Sequence, residues 1–300
     1  MKPRLTGFLF LLVTAFSWGL NWPVLKFALG EWPPFTFRFV SGLGAAALMF
    51  GVALARGERI GVSRRVLPRV ALAGILNITS FMGLATLALL WLSASEAAII
   101  AYTMPIWASL LAWPVLGERP TANKVLGLAI GLGGVTTLMA GQLLSAPLSA
   151  LVAKLPGVGF IMGTALMFAC GAVYTKKYPL NLPPNTSLAW QILIGSLPLS
   201  LVAVFYDRWD LSGISLVGWG ALGYVIVIAV CLSYITWFKA LKLLPASTAA
   251  IGTLMVPVIG VLLSGVLLGE PLGVRQLTAL AMTVTGVALA SRGGRKRFFF

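Results

Sequence analysis

Residues 94–118 read ASEAAIIAYTMPIWASLLAWPVLGE, and residues 246–270 read ASTAAIGTLMVPVIGVLLSGVLLGE. The two stretches match at one offset of 152 residues. Ala94-Ser95 falls on Ala246-Ser247, Ala97-Ala98-Ile99 on Ala249-Ala250-Ile251, Pro105 on Pro257, and Leu116-Gly117-Glu118 on Leu268-Gly269-Glu270. Ala and Leu coincide cheaply in apolar sequence; a proline and a Leu-Gly-Glu triplet held in common register do not. Without a gap the same offset carries Gly7-Phe8 onto Gly159-Phe160, Phe16 onto Phe168, Gly19 onto Gly171, and Gly134-Val135 onto Gly286-Val287. The chain is a tandem repeat.

Each repeat unit is apolar almost throughout. The 300 residues are 59% hydrophobic and 10% charged, against roughly a quarter charged in an average soluble protein. Twenty-two basic and seven acidic side chains cannot cover a soluble protein of this size, so the chain reads as a membrane domain from end to end. Runs long enough to cross a bilayer recur near Leu5–Ala28, Phe35–Ala55, Leu67–Leu92, Ala94–Leu116, Ala122–Ala140, Pro156–Tyr174, Thr186–Tyr206, Leu216–Leu241, Ala246–Leu268 and Gly273–Ala290. The first of these lacks an Ala-x-Ala cleavage site and reads as a retained helix.

The net charge of +15 invites a nucleic-acid reading, but its distribution points to topology. With the N-terminus in the cytoplasm, seventeen of the 22 Lys and Arg fall on the inner side. Lys26, Lys154, Arg208 and Arg275 fall on the outer side, and Arg38 within a span. Basic residues concentrate in cytoplasmic loops, and a missed or invented span would scramble this asymmetry. The expectation is an all-α, multi-pass inner-membrane protein of ten transmembrane helices with both termini cytoplasmic, no nucleic-acid partner, and a monomeric state. Its units are residues 1–141 and 156–292. Five spans per unit is an odd number, so the second unit enters the bilayer inverted. Inverted repeats characterise secondary transporters, which rock one half against the other around a midplane site.

Several motifs resemble a known family. Trp18-Gly19-Leu20-Asn21-Trp22 with Lys26, Pro34-x-x-x-Arg38, and the paired Pro105…Gly117-Glu118-Arg119 and Pro257…Gly269-Glu270-Pro271 are similar to signatures of the EamA branch of the drug/metabolite transporter superfamily. The overall sequence looks most like the YddG-type exporters of aromatic amino acids. The resemblance implies export from the cytoplasm through a cavity lined by helices 1, 3 and 4 of one half and 6, 8 and 9 of the other.

Candidate substrate-binding residues follow from position. Trp18, Asn21 and Trp22 share one face of the first helix, and a buried amide is costly without a partner. Asn21 could bond substrate or serve equally as glue between helices, while Trp18 and Trp22 could pack an apolar substrate group. Asn77 and Ser80 lie mid-span in the third helix, and Tyr102 in the fourth. Pro105 and Pro257 interrupt equivalent helices, each removing a backbone donor, and such interruptions point to a transport site or a hinge. Tyr234 and Trp237 of the eighth span are expected opposite Trp18. Lys26, Arg38 and Glu96 read as side chains reaching the outer interface, or as an outer gate pairing Glu96 with Lys26 or Arg38. Glu118 and Glu270 read as caps or as partners of Arg119 or Arg275. Trp32, Trp91, Trp113, Trp209 and Trp219 read as interfacial anchors.

An enzyme would need paired carboxylates, histidines or metal ligands at depth. There is no histidine, and the two cysteines, Cys170 and Cys231, are far apart in sequence. No catalytic role, cofactor or metal is expected. A phosphate-bearing solute, such as a nucleotide sugar or lipid-linked compound, is expected to need several midplane cations, so a zwitterionic or neutral metabolite fits better.

Overall fold

A computed structural model describes residues 3–117, 121–145, 148–208, 210–244 and 252–292. Arg119, the Glu118 cap, Trp209, the second copy of the repeat at Ala246–Ile251, and Arg295 lie outside the described residues. Among those described, all regular structure is helical. The helices are α1 (Pro3–Ala28), α2 (Pro34–Ala55), α3 (Leu67–Trp91), α4 (Ala94–Leu116), α5 (Ala122–Ser145), α6 (Leu148–Lys177), α7 (Pro184–Tyr206), α8 (Leu216–Leu243), α9 (Met255–Leu268) and α10 (Val274–Arg292). Seven are long and apolar enough to cross a membrane: α1 to α4 and α6 to α8. α5, α9 and α10 carry shorter apolar stretches. Large side chains such as Phe205, Leu216, Val266 and Val274 stand exposed on the outer faces, as a lipid-facing surface requires.

The helices pack in a reciprocal pattern. α2 lies along α7 and α5 along α10, while α1 packs on α8 and α9 just as α6 packs on α3 and α4. Lipid is as apolar as leucine, so contact between helices must come from close packing and hydrogen bonds. The repeat pair Gly134 and Gly286 shows this directly. A Cβ on Gly286 would stand 2.5 Å from the Gly127 carbonyl oxygen, and one on Gly134 2.8 Å from that of Ala279, so α5 and α10 touch backbone to backbone.

The acidic residues close the helix starts. A helix leaves its first N–H groups without partners, and in hydrocarbon no water replaces them. Glu58, after α2, accepts from Thr186 N (2.9 Å), Thr186 Oγ1 and Asn185 Nδ2 at the start of α7. Asp207, after α7, accepts from Thr36 N (2.5 Å) and Thr36 Oγ1 (2.8 Å) at the start of α2. Glu31 accepts from Ser215 Oγ and Ser215 N, where Ser215 caps α8. Glu270 accepts from Ala94 N (2.7 Å), Ser95 N (3.0 Å) and Ser95 Oγ (2.5 Å) at the start of α4. Glu270 therefore caps a helix of the other half rather than closing its own turn. A carboxylate also suits the positive end of a helix dipole, and each of these four joins a loop to a distant helix.

Two helix pairs depart from regular α geometry in matching ways. α3 is π-helical over Ile75–Leu84 and α8 over Val225–Leu232, stretches that overlap at the repeat offset. α4 breaks in a turn at Tyr102–Thr103, and α9 is preceded by a turn at Thr253–Leu254. Pro105 and Pro257 each fall in the first turn after the break, where a missing N–H costs nothing. Leu116-Gly117 and Leu268-Gly269 end the same two helices. Gly117 (φ 72°) and Gly269 (φ 65°) adopt the left-handed cap conformation that favours glycine.

Candidate functional site

The departures converge on one cavity. A space of about 470 Å³ is lined by Trp18, Asn21, Trp22 and Arg38 from α1 and α2, and by Asn77, Ile78, Phe81 and Met82 from the π-helical part of α3. Tyr102, Met104, Pro105 and Ala108 close it from the break in α4, and Phe168, Ala172 and Ile192 from α6 and α7. Val225, Ala229, Val230, Tyr234 and Trp237 of α8 and Thr253 and Leu254 before α9 complete the wall. A second cavity of about 500 Å³ shares Asn77, Ile78, Phe168, Ala172 and Tyr234 and leads to Pro179–Leu182 in the α6–α7 loop.

Eight of the ten residues singled out in the sequence therefore meet at one place. Ser80 and Pro257 do not. Ser80 is buried against its own helix, its hydroxyl donating to the Leu76 carbonyl. Pro257 is buried in α9, and Thr253 and Leu254 take the lining position instead. An α-helical wheel misplaces Ser80 because the wider π turn rotates the face after Asn77.

The aromatic wall is organised around Trp18. Its ring meets Tyr234 edge-on at 5.4 Å between centroids and Trp237 at 5.9 Å. Its indole N–H donates to the Ala229 carbonyl (3.2 Å) within the π-helical stretch of α8. Trp22, almost fully buried, packs edge-on against Phe81 at 6.0 Å, and Phe81 packs in turn on Phe168. The polar lining is sparse. Asn77 Nδ2 donates to Gln191 Oε1 (3.2 Å) and so joins α3 to α7. The Asn21 carbonyl oxygen is buried without a partner among the described residues.

The charges are not where the sequence reading put them. Arg38 does not reach the interface. It is 3% exposed, its Nε donates to Thr86 Oγ1 (2.6 Å), and its Nη2 is buried without a partner among the described residues. Thr86 is anchored by its own bond to the Met82 carbonyl. Lys26 donates to the Leu89 and Leu92 carbonyls at the end of α3. Glu96 pairs with Lys154 at 2.7 Å and closes a capping box with Ser93, while only 5% exposed. It is buried rather than hydrated, and Arg38 is not its partner among the described residues. Trp32 is also buried rather than interfacial, its indole N–H donating to the Gly218 carbonyl (3.0 Å), whereas Trp91, Trp113 and Trp219 are exposed. No described carboxylate lines the cavity. Arg38, Phe81 and Phe168 are among the lining residues that sequence reasoning missed, although the Pro34-x-x-x-Arg38 motif was a signal for the first.

The comparisons agree with this architecture. A solved crystal structure superposes with a TM-score of 0.65 at 22% identity, covering 98% of this chain and 99% of its own. The uncharacterized transporter YvbV of Bacillus subtilis is 30% identical over 294 residues, 96% of this chain and 92% of that protein. A Salmonella typhimurium protein named "Probable amino-acid metabolite efflux pump" is 27% identical over 305 residues, 98% of this chain and 97% of its own. The model of the EamA-like transporter family matches residues 5–140 and 155–292. An apolar helical bundle with a cavity at its centre, matched by that family over both halves, is a membrane transporter of small molecules, and the chain belongs to the EamA-like transporter family.

Proposed function

We propose that this protein exports amino-acid-like metabolites, aromatic ones included, across the inner membrane by alternating access. The observation that carries the reading is the cavity. It is built from both halves of the chain, walled by Trp18, Trp22, Phe81, Phe168, Tyr234 and Trp237, and supplied with few polar groups. Rings offer apolar contact at little entropic cost, while amides and hydroxyls orient a polar end. The relation to a protein named as an amino-acid metabolite efflux pump supports the same class.

Ten spans in two inverted repeats, residues 1–141 and 156–292, account for the reciprocal packing. The loop after α2 caps α7 and the loop after α7 caps α2, as a two-fold axis in the membrane plane would require. With the basic loops placed in the cytoplasm, the second cavity opens beside Lys176 and Lys177. Towards the opposite end Glu270 bonds to the start of α4 and Lys26 to the end of α3. On this reading the protein works as a monomer open to the cytoplasm, poised to load an export substrate.

Two measurements test this. Cysteines introduced between Arg56 and Arg69 should label only from the cytoplasmic side, and one near Asp207 only from outside. Purified protein in liposomes should exchange labelled phenylalanine or tryptophan at least about tenfold faster than protein-free vesicles, the flux a pocket of this kind should support. Flux of a nucleotide sugar with none of any amino acid would reject the substrate class.

A further inference from the structure

We propose that Arg38 is the anchor for a carboxylate group of the transported solute, so that the protein selects monoanionic carboxylates and zwitterions over their amides and over simple amines. The inference rests on the reading of the central cavity as the transport site.

A guanidinium has five N–H donors and no acceptor. Among the described residues the only partner of Arg38 is Thr86 Oγ1, which takes the Nε proton and leaves the terminal nitrogens unengaged. Arg38 lines the cavity together with Asn21 and Tyr102, and its unpartnered Nη2 is buried in that wall. A buried arginine in a membrane protein is costly and is ordinarily paired. The described carboxylates are committed elsewhere: Glu31, Glu58, Asp207 and Glu270 to helix starts, Glu96 to Lys154, and Asp210 to Ser212. Arg38 is thus a cation held in place by one neutral hydroxyl, in a cavity without a described counter-charge.

Geometry gives it a selective role. The bond from Nε to Thr86, itself fixed to the α3 backbone, orients the plane of the guanidinium. The two terminal nitrogens present the fork that matches a carboxylate through parallel N–H···O bonds. The Asn21 carbonyl oxygen, without a partner among the described residues, is an acceptor in the same lining, suited to an ammonium or hydroxyl on the same solute. An incoming amine alone meets a fixed positive charge and no carboxylate. One guanidinium suits one carboxylate better than a diphosphate, which would call for more cations.

The test uses the full-length protein in detergent and in liposomes, with four probes sharing one ring: phenylalanine, phenylalaninamide, 3-phenylpropionate and 2-phenylethylamine. The two acids should bind, and the amide and amine should bind at least about 30-fold more weakly, because they lack the charge-assisted pair. Arg38→Gln should weaken both acids by about 100-fold and the other two probes by less than about threefold. Arg38→Met should unfold at the same or a higher temperature than the parent, since it removes an unpaired buried charge. An arginine kept for the fold would instead make that variant less stable. Equal binding of acid and amide by the parent protein, failure of both acids to bind it, or equal weakening of all four probes by Arg38→Gln would overturn the anchor. Arg38-dependent binding of 3-phenylpropionate without phenylalanine would keep the carboxylate anchor and reject amino-acid export. Arg38-independent transport of phenylalanine would do the reverse.

Discussion

Replacing Glu270 with Ala is expected to be the most damaging single change outside the cavity, lowering stability by roughly 2–4 kcal/mol, the scale of losing charge-assisted bonds to partly buried donors. One carboxylate holds Ala94 N, Ser95 N and Ser95 Oγ. Without it the first turn of α4 keeps its capping box between Ser93 and Glu96, but two further backbone donors lose their partners where water is scarce. Glu270→Gln retains one acceptor oxygen and should cost less than half as much. Asp210→Asn is the control. That carboxyl is exposed and held below its usual range only by the hydroxyl and amide of Ser212, so its loss should leave the unfolding temperature unchanged. The measurement is thermal unfolding of the three variants in one detergent. A Glu270→Ala protein as stable as the parent would show that the cap contributes nothing.

The Glu270 contact shows how far the repeat could be read. Leu-Gly-Glu recurring at 152 residues correctly marked two helix ends, because a left-handed glycine after the last turn is a local requirement. The destination of the glutamate was not legible, since it depends on which distant helix start lies beside it. The same limit explains Arg38 and Glu96. Sequence gives depth along a helix but not which way a side chain turns, and residues near helix ends were assigned to water by default. Arg38 faces inward because α2 packs against α3, which supplies Thr86. The π-helical stretches had no signature at all. Val225–Leu232 is an unbroken apolar run, and nothing in residue type separates a wide turn from a regular one there. The aromatic cavity was legible because α1 is a regular α-helix, in which Trp18, Asn21 and Trp22 share a face.

Removing the ring of Trp18 should change which solutes are carried rather than whether any are. Trp18 lies against Tyr234 and Trp237 and is pinned by its bond to the Ala229 carbonyl, so Ala at this position deletes packing area and opens space. Transport of phenylalanine or tryptophan should fall by about 10–100-fold, the 1–3 kcal/mol range of lost apolar complementarity in a specificity pocket. Alanine, which never reaches the ring, should be within about threefold of its parent rate on the same reasoning. Trp18→Phe separates the two properties of the side chain. It keeps most of the packing and loses the indole N–H, leaving the Ala229 carbonyl in the π-helical stretch without that donor, so any loss it shows measures the pin and not the surface. Asn21→Ala makes the opposite pattern. Its carbonyl oxygen has no partner to lose among the described residues, so expression and stability should hold while all zwitterionic solutes weaken alike, by about tenfold for one hydrogen bond to a charged group. A Trp18→Ala protein that slows alanine as much as tryptophan would place the selective contact elsewhere, because deleted ring area cannot penalise a solute too small to touch it.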